Sequence, residues 1–387
     1  MENFEWNVGT RILFGRGQLD RLPEAIRERG DSVLLVYGGG SVKRSGVYGQ
    51  VTERLRAAGI RWAELSGVEP NPRVTTAAEG VRICRAEELD CVLALGGGSV
   101  IDCAKLVAAA RYYEGEPWDL VLDWSRVGRV MPIFSVLTLA ATGSEMDAIA
   151  VISNWETSEK RSLKHPAIRP AASVLDPTFT FSVPREQTAA GTADIMSHIL
   201  ENYFSRCTSG YVQDAMAEGL LKTCIRYGPV ALARPDDYEA RANLMWCSSL
   251  AINGLIGLGK SCPWSVHAME HQLSACYDLT HGVGLAILTP AWMRHILGPE
   301  TEEKLAAYGV GVWGVDPALP ARQAAEEAIA RTADFFTREL GLPAALGQVG
   351  IGRERLKEMA ARAAEGLGEA YVPLTARDVE QIYIDCL

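Results

Sequence analysis

The sequence predicts two domains of different class, an α/β domain over residues 1–183 and an all-helical domain over 184–387. Three observations carry that expectation. Short apolar runs alternate with helically spaced segments in the first half, the signature of a parallel sheet covered on both faces. Two of those runs end in a glycine triplet. From about Pro184 the strand signals stop and long amphipathic stretches take over.

In chain order, Ser32–Tyr37 reads as a buried strand followed by Gly38-Gly39-Gly40, and helical spacing then runs from Val42 to Ala58. Arg61–Leu65 is a second strand and Val74–Glu87 a helix. Asp90–Leu95 is again apolar and runs into Gly96-Gly97-Gly98-Ser99, with an alanine-rich helix to Ala110. Met131–Leu137 is a third buried strand. Asp176-Pro177 and Ser182-Val183-Pro184 mark the boundary, because proline restricts its own backbone and its neighbour's. Helical stretches follow over Arg185–Tyr203, Gln213–Tyr227, Asp237–Leu258, Ser265–Cys276, Ala321–Leu340 and Arg353–Glu369.

Bulk composition narrows the function. Of 387 residues, 48% are hydrophobic and 22% charged, which suits a soluble globular protein with a full core. A net charge of -10 disfavours nucleic acid, whose phosphates call for basic patches. Nine cysteines, an odd number with no CxxC pair, argue against a disulfide framework and fit a reducing cytoplasm. The N-terminus lacks the basic and apolar regions of a signal peptide. The apolar run near Val130–Ala141 falls short of the about 20 residues that span a bilayer, so no membrane partner is expected.

The glycine loops Gly38–Ser41 and Gly96–Ser99 each follow a strand and precede a helix. Glycine there lets the backbone approach a phosphate, and the helix start offers unpaired N–H groups. Two such loops in one sheet suit a dinucleotide, although neither is GxGxxG. After Tyr37 no acid occurs until Glu53; Ser41, Lys43 and Arg44 follow instead. That favours a 2′-phosphate, hence NADP(H), over the 2′-hydroxyl that an acid would bind.

The six histidines include two i, i+4 pairings inside helical stretches, Asp194 with His198 and His267 with His271. His281 follows before Gly282, which permits a tight approach. One carboxylate and several imidazoles from three distant segments suit a divalent metal. His165 and His295 read as surface or packing residues.

These motifs resemble the iron-containing (group III) alcohol dehydrogenase family, in its NADPH-dependent butanol dehydrogenase/aldehyde reductase branch. The resemblance runs nearly end to end: Gly15-Arg16-Gly17, the Gly38–Ser41 loop, Pro70-Asn71-Pro72, Gly96–Asp102, Ala141–Glu145, Leu175-Asp176-Pro177, Asp194-x3-His198 and His267-x3-His271-x9-His281. It implies a Rossmann-like nucleotide-binding domain and a helical metal-binding domain with the active site between them. It places Fe2+, or Zn2+ or another divalent ion, on Asp194, His198, His267 and His281, with His271 a non-ligand beside the nicotinamide and a candidate proton shuttle. It places cofactor contacts on Gly38, Gly39, Ser41, Asn71, Gly97, Gly98, Ser99, Asp102, Thr138, Thr142 and Lys160, with Gly40 inside the same loop. In NAD-preferring relatives the Gly38 position tends to be Asp. Two positions depart from the branch: Ala140 stands where relatives often have proline, and Asp147, where they have asparagine, adds a carboxylate near the cofactor or substrate.

The expected reaction is hydride transfer between nicotinamide C4 and a small to medium aldehyde or primary alcohol, with the metal polarising the carbonyl. The apolar segment Asn253–Trp264, with Trp246, suits such a substrate. A lyase of the dehydroquinate synthase type and a non-catalytic nucleotide and metal sensor are the alternatives. A homodimer is expected, with Phe4–Phe14 as an edge strand for pairing.

Overall fold

The computed structural model describes residues 1–207 and 209–387. Two compact units emerge. One comprises residues 7–183 and 235–249; the other comprises 1–6, 184–234 and 250–387. Relative to the 1–183 and 184–387 division, Met1–Trp6 counts with the helical unit and Pro235–Ser249 with the sheet unit.

The first unit is built on strands β1 (Arg11–Phe14), β2 (Ser32–Gly38), β3 (Arg61–Val68), β4 (Cys91–Gly96), β5 (Ile133–Leu137) and β8 (Ala172–Leu175). They form one parallel sheet in the order β1-β8-β5-β4-β2-β3. β6 (Ile149–Asn154) and β7 (Glu159–Lys164) form a separate antiparallel hairpin. The unit's helices are α1 (Leu22–Arg27), α2 (Ser41–Arg44), α3 (Val47–Ala57), α4 (Val74–Ala86), α5 (Gly98–Ala110) and α6 (Pro117–Leu122).

The continuous apolar runs are explained by burial on both faces. Along β2 and β4, Leu34, Val36, Val92 and Ala94 face a core shared with α4 and α5, whereas Val33, Leu35, Leu93 and Leu95 face one shared with α1 and α3. The helix expected over Val42–Ala58 breaks into α2 and α3 at Gly46, whose φ of 81° is left-handed. The edge strand expected over Phe4–Phe14 is only Arg11–Phe14. The hairpin and β8 were not foreseen: β7, Glu-Lys-Arg-Ser-Leu-Lys, is half-buried and largely charged, so it carries no clear apolar period.

The helical unit contains α7 (Arg185–Tyr203), α8 (Tyr211–Ala233), α10 (Ser265–Tyr277), α11 (His281–Ile296), α12 (Glu302–Tyr308), α13 (Ala321–Asp334), α14 (Leu356–Ala363) and α15 (Ala376–Asp385); α9 (Tyr238–Ile252) runs across the cut between the units. α7 packs on α8 and α11, and α10 packs on α11 and α14. No helix among the described residues is long and apolar enough to cross a membrane.

A buried polar group lies inside the sheet unit. Lys105, fully buried on α5, donates to Asp147 Oδ1 (2.5 Å), Ser144 Oγ (2.8 Å) and the Ile149 carbonyl (2.7 Å). Glu145, also fully buried, accepts from Ser249 through Oε1, while its Oε2 has no partner. Burial lifts its pKa to about 7 and that of Asp102 to about 6, and it raises Asp147 as well. A carboxyl whose folded pKa lies above its unfolded value stabilises the fold below the unfolded pKa and loses that contribution as pH rises through the folded one. Glu145 should therefore withdraw stability as pH rises from about 4.5 to about 7. Glu145→Gln should flatten that slope and leave the variant more stable at pH 8 by about 3 kcal/mol. Thermal melts of both proteins at pH 5 and pH 8 check this; an unchanged Tm difference between the two pH values rejects it.

Candidate metal centre and nucleotide loops

α7 is buried along nearly its whole length, yet carries Asp194, Ser197, His198, Glu201 and Asn202 in its buried part. Burying so many polar groups is costly unless each finds a partner. Asp194, His198 and Glu201 recur at helical spacing and so share a face. Opposite them α10 brings His267, Glu270 and His271, and α11 begins at His281. Gly282 makes the last approach possible: a Cβ there would overlap the Ala190 carbonyl oxygen of α7.

The donors converge on one carboxylate oxygen. Asp194 Oδ1 lies 3.5 Å from His198 Nε2, 3.8 Å from His267 Nε2 and 3.8 Å from His281 Nε2. Ligands about 2.1 Å from a tetrahedral ion stand about 3.4 Å from one another; the ligand atoms of Asp194, His267 and His281 lie within 4.8 Å of one another, close enough to share a divalent ion, and His198 Nε2 stands beside them next to Asp194 without joining that group. Asp194 Oδ1 and His267 Nε2 are buried without a hydrogen-bond partner, as metal donors would be before an ion arrives.

Two glutamates absent from the sequence reading stand behind the imidazoles. Glu201 Oε2 pairs with His267 Nδ1, and the same carboxylate accepts the backbone N–H groups of Val266 (2.7 Å) and His267 (3.1 Å). Glu270 Oε2 pairs with His281 Nδ1, while its Oε1 accepts from Ser274 Oγ at 2.5 Å. Such carboxylates fix the tautomer, keep the Nε2 lone pair facing inward and raise ligand basicity. A signal did exist: Glu201 lies three residues beyond His198, and Glu270 three beyond His267. His198 has no such support. Its Nδ1 is buried and unpartnered, its ring stacks on His267 at 4.7 Å, and Trp264 stands edge-on to both rings. Trp264 itself holds a left-handed φ of 58° immediately before α10, the kind of constrained backbone found at functional sites.

Charge follows this layout. Burial alone would raise Asp194, but the imidazoles, His198 foremost, hold its carboxyl below the ordinary range. Burial takes His198 down to about 3. Burial also opposes a charge on His267, yet Glu201 and Asp194 raise it to about 9. His271 is half-buried beside this group, with ring centroids 5.6 Å from His281 and 6.3 Å from His267.

The glycine loops are neighbours in the sheet. Tyr37 pairs with Leu95, so Gly38–Ser41 and Gly96–Ser99 leave adjacent strands at one level. From β2 the chain moves outward to β3 and then returns to β4 on the other side. The crevice between β2 and β4 is therefore the switch point at which open α/β sheets bind ligands. A Cβ on Gly98 would overlap the Thr142 side chain, so that position needs glycine, and one on Gly97 would make a tight 3.2 Å contact with Leu139 Cβ. Nothing approaches Gly39 within 4 Å of that position, which leaves its backbone open to a ligand. Thr138 follows β5 and donates to the Gly96 carbonyl (3.0 Å). Ser99 Oγ donates to the Pro70 carbonyl, and Lys160 Nζ to Asn71 Oδ1 (3.0 Å). Gly38, Gly39, Gly40, Ser41, Gly97, Gly98, Ser99, Thr138 and Thr142 thus lie at or just beyond the carboxyl ends of β2, β4 and β5.

Two expected cofactor residues are otherwise engaged. Asp102 spends one oxygen on Ser144 Oγ (2.5 Å) and the other on the Val151 N–H (3.0 Å). Asp147, expected to place a carboxylate near the cofactor or substrate, is 5% exposed and paired with Lys105. A fully buried ammonium needs such a counter-charge. Lys43 and Arg44 also separate, with Lys43 drawn over the Tyr37 and Tyr48 rings and 3.9 Å from Glu64. Trp246 packs edge-on against Phe14 in the sheet unit.

Removing the carboxylate behind His267 tests the metal reading without touching a donor. Glu201→Gln should weaken divalent-metal affinity by about 10- to 100-fold while leaving the circular dichroism unchanged. Competition with a chelator measures it, and unaltered affinity would sever Glu201 from the site.

Comparison with known proteins places the whole arrangement. The family model described as iron-containing alcohol dehydrogenase matches residues 9–177, and that of the Fe-containing alcohol dehydrogenase family, C-terminal, matches 188–387. The chain is 54% identical over 386 residues, 99% of both chains, to NADH-dependent butanol dehydrogenase A of Clostridium acetobutylicum. It is 39% identical over 354 residues, 91% of this chain and 90% of the other, to NADPH-dependent aldehyde reductase YqhD of Escherichia coli. Its fold matches the crystal structure of NADH-dependent butanol dehydrogenase A from Thermotoga maritima with a TM-score of 0.94 at 36% identity, covering 100% of this chain and 99% of that one. With both family models matched and relatives alike over almost the full length, the chain belongs to the iron-containing alcohol dehydrogenase family.

Proposed function

We propose that this protein is a metal-dependent aldehyde reductase and alcohol dehydrogenase acting on small to medium aldehydes or primary alcohols such as butanal and butanol. The observation that carries the proposal is the near-equal spacing of three imidazole nitrogens about the buried Asp194 Oδ1. In this reading residues 184–387 hold the metal through Asp194, His198, His267 and His281, and residues 1–183 hold the nucleotide through the two glycine loops, with Asn71 and Lys160 nearby. Once bound, a divalent metal supplies Lewis acidity toward the carbonyl oxygen, and a nicotinamide supplies or accepts hydride.

The chain's own groups then have defined tasks. Glu201 and Glu270 hold the Nδ1 atoms of His267 and His281, so that both rings present Nε2 to the ion. His271 gives or takes the reaction's proton through water, a task suited to an imidazole. Iron is the ion that the family's description favours; a three-nitrogen, one-oxygen set also suits Zn2+.

For the cofactor, Gly38 and the cations Lys43 and Arg44 support NADP(H). The names of the relatives point both ways, to NADH in butanol dehydrogenase A and to NADPH in YqhD. We take both dinucleotides as accepted. Nine free cysteines support a reducing, cytoplasmic setting, and the edge strand β1 supports a homodimer.

Protein stripped by a chelator and reloaded with Fe2+ or Zn2+ should oxidise NADPH and NADH in the presence of butanal, and the stripped form should not. Activity that needs no metal, or no activity with any metal, overturns the proposal. His267→Ala should lose metal and turnover together. His271→Ala should keep the metal and lose about 10-fold or more in kcat, with an altered pH profile; an intact profile would remove His271 from proton transfer.

A further inference from the structure

Along the chain Lys43 is an available cation, because no acid follows Tyr37 before Glu53. The sheet brings one in from the side. Glu64 on β3 pairs in register with Leu35 of β2. Its Oε2 accepts from the Tyr37 hydroxyl and its Oε1 from the Tyr48 hydroxyl, each at 2.5 Å. Trp62 Nε1 adds a weaker donation to Oε1 at 3.4 Å. The Lys43 ammonium lies over both phenol rings, 4.7 and 4.6 Å from their centroids, and 3.9 Å from Glu64 Oε2. Although burial would raise the Glu64 carboxyl, the two phenols hold it below its ordinary range, so its charge persists.

This cluster sits where a dinucleotide's 2′ substituent is read. In dinucleotide sites of this sheet type the ribose 2′ substituent is read near the glycine loop, by an acid that bonds a 2′-hydroxyl or by a cation that takes a 2′-phosphate. Gly38, the last residue of β2, offers no side chain for that task. Selection between a 2′-hydroxyl and a 2′-phosphate therefore falls to the charges around α2. Arg44 stays with the loop, its Nη1 3.6 Å from where a Cβ on Gly40 would be. Lys43 is turned toward the β3 edge.

We propose that Glu64 is a selectivity residue: with Tyr37 and Tyr48 it holds the Lys43 ammonium away from a 2′-phosphate, and so sets the balance between NADH and NADPH. This rests on the dinucleotide reading above. Glu64 acts as a positioning residue, through Lys43 and without touching cofactor. Its pair is partly exposed, at 33% for Glu64 and 49% for Lys43, so the effect is moderate and salt-sensitive.

The test is fluorescence titration of the full-length protein with NADH and NADPH, which reads affinity without turnover. Glu64→Gln should tighten NADPH about threefold and leave NADH unchanged. Lys43→Met should weaken NADPH, and Glu64→Gln added to Lys43→Met should have no further effect on the ratio. A merely structural Glu64 would shift both cofactors alike, or act equally with and without Lys43, and either result overturns the proposal. Binding of neither dinucleotide to the unaltered protein overturns the cofactor reading and this one together, whereas binding of both with an unmoved ratio overturns this one alone.

Discussion

Much of the helical unit is organised around one carboxylate oxygen. Asp194 Oδ1 is buried among three imidazoles and has no hydrogen-bond partner. An unsatisfied buried polar atom costs about 1–3 kcal/mol, more when charged, so a fold that keeps one must bring positive charge to it. The surrounding choices follow from that need. α7 gives up apolar positions in its buried part, and Gly282 gives up its side chain so that α11 can deliver His281. Glu201 and Glu270 spend buried carboxylates on the far side of two rings.

The sheet unit follows a different logic. Its central strands β2, β4 and β5 are buried on both faces, and the glycine loops emerge at the carboxyl ends of the adjacent strands β2 and β4. Beneath the second loop lies a compact set of buried charges, Lys105 against Asp147 with Asp102 and Glu145 close in sequence and structure. A buried ion pair is a poor source of stability. Here it ties α5 to the segment between β5 and β6, since Lys105 also reaches Ser144 and the Ile149 carbonyl.

Cofactor choice shows how a sequence argument can be sound in its chemistry and incomplete in its geometry. Lys43 and Arg44 are two adjacent cations after a glycine triplet, and charge alone treats them as equivalent. In the fold, a strand that begins 17 residues beyond Arg44 sets an acid and two phenols around one of them and leaves the other by the loop.

The sequence by itself determined the elements whose period or punctuation is strong. These are the buried strands β2, β4 and β5, the helices α4, α5, α7 and α10, the two glycine loops, and the spaced acid and imidazoles on α7 and α10. Those signals are local, because burial on both faces writes a continuous apolar run and a shared helix face writes a spacing of four. Only the tertiary structure decided the rest. Glu201 and Glu270 were ordinary helical glutamates until α7, α10 and α11 met. Asp147 became the counter-ion of Lys105, and Glu64 the partner of Lys43, through contacts 42 and 21 residues apart in the chain. A charge's partner is set by which strands and helices come to lie side by side, and the order of residues along the chain does not record that.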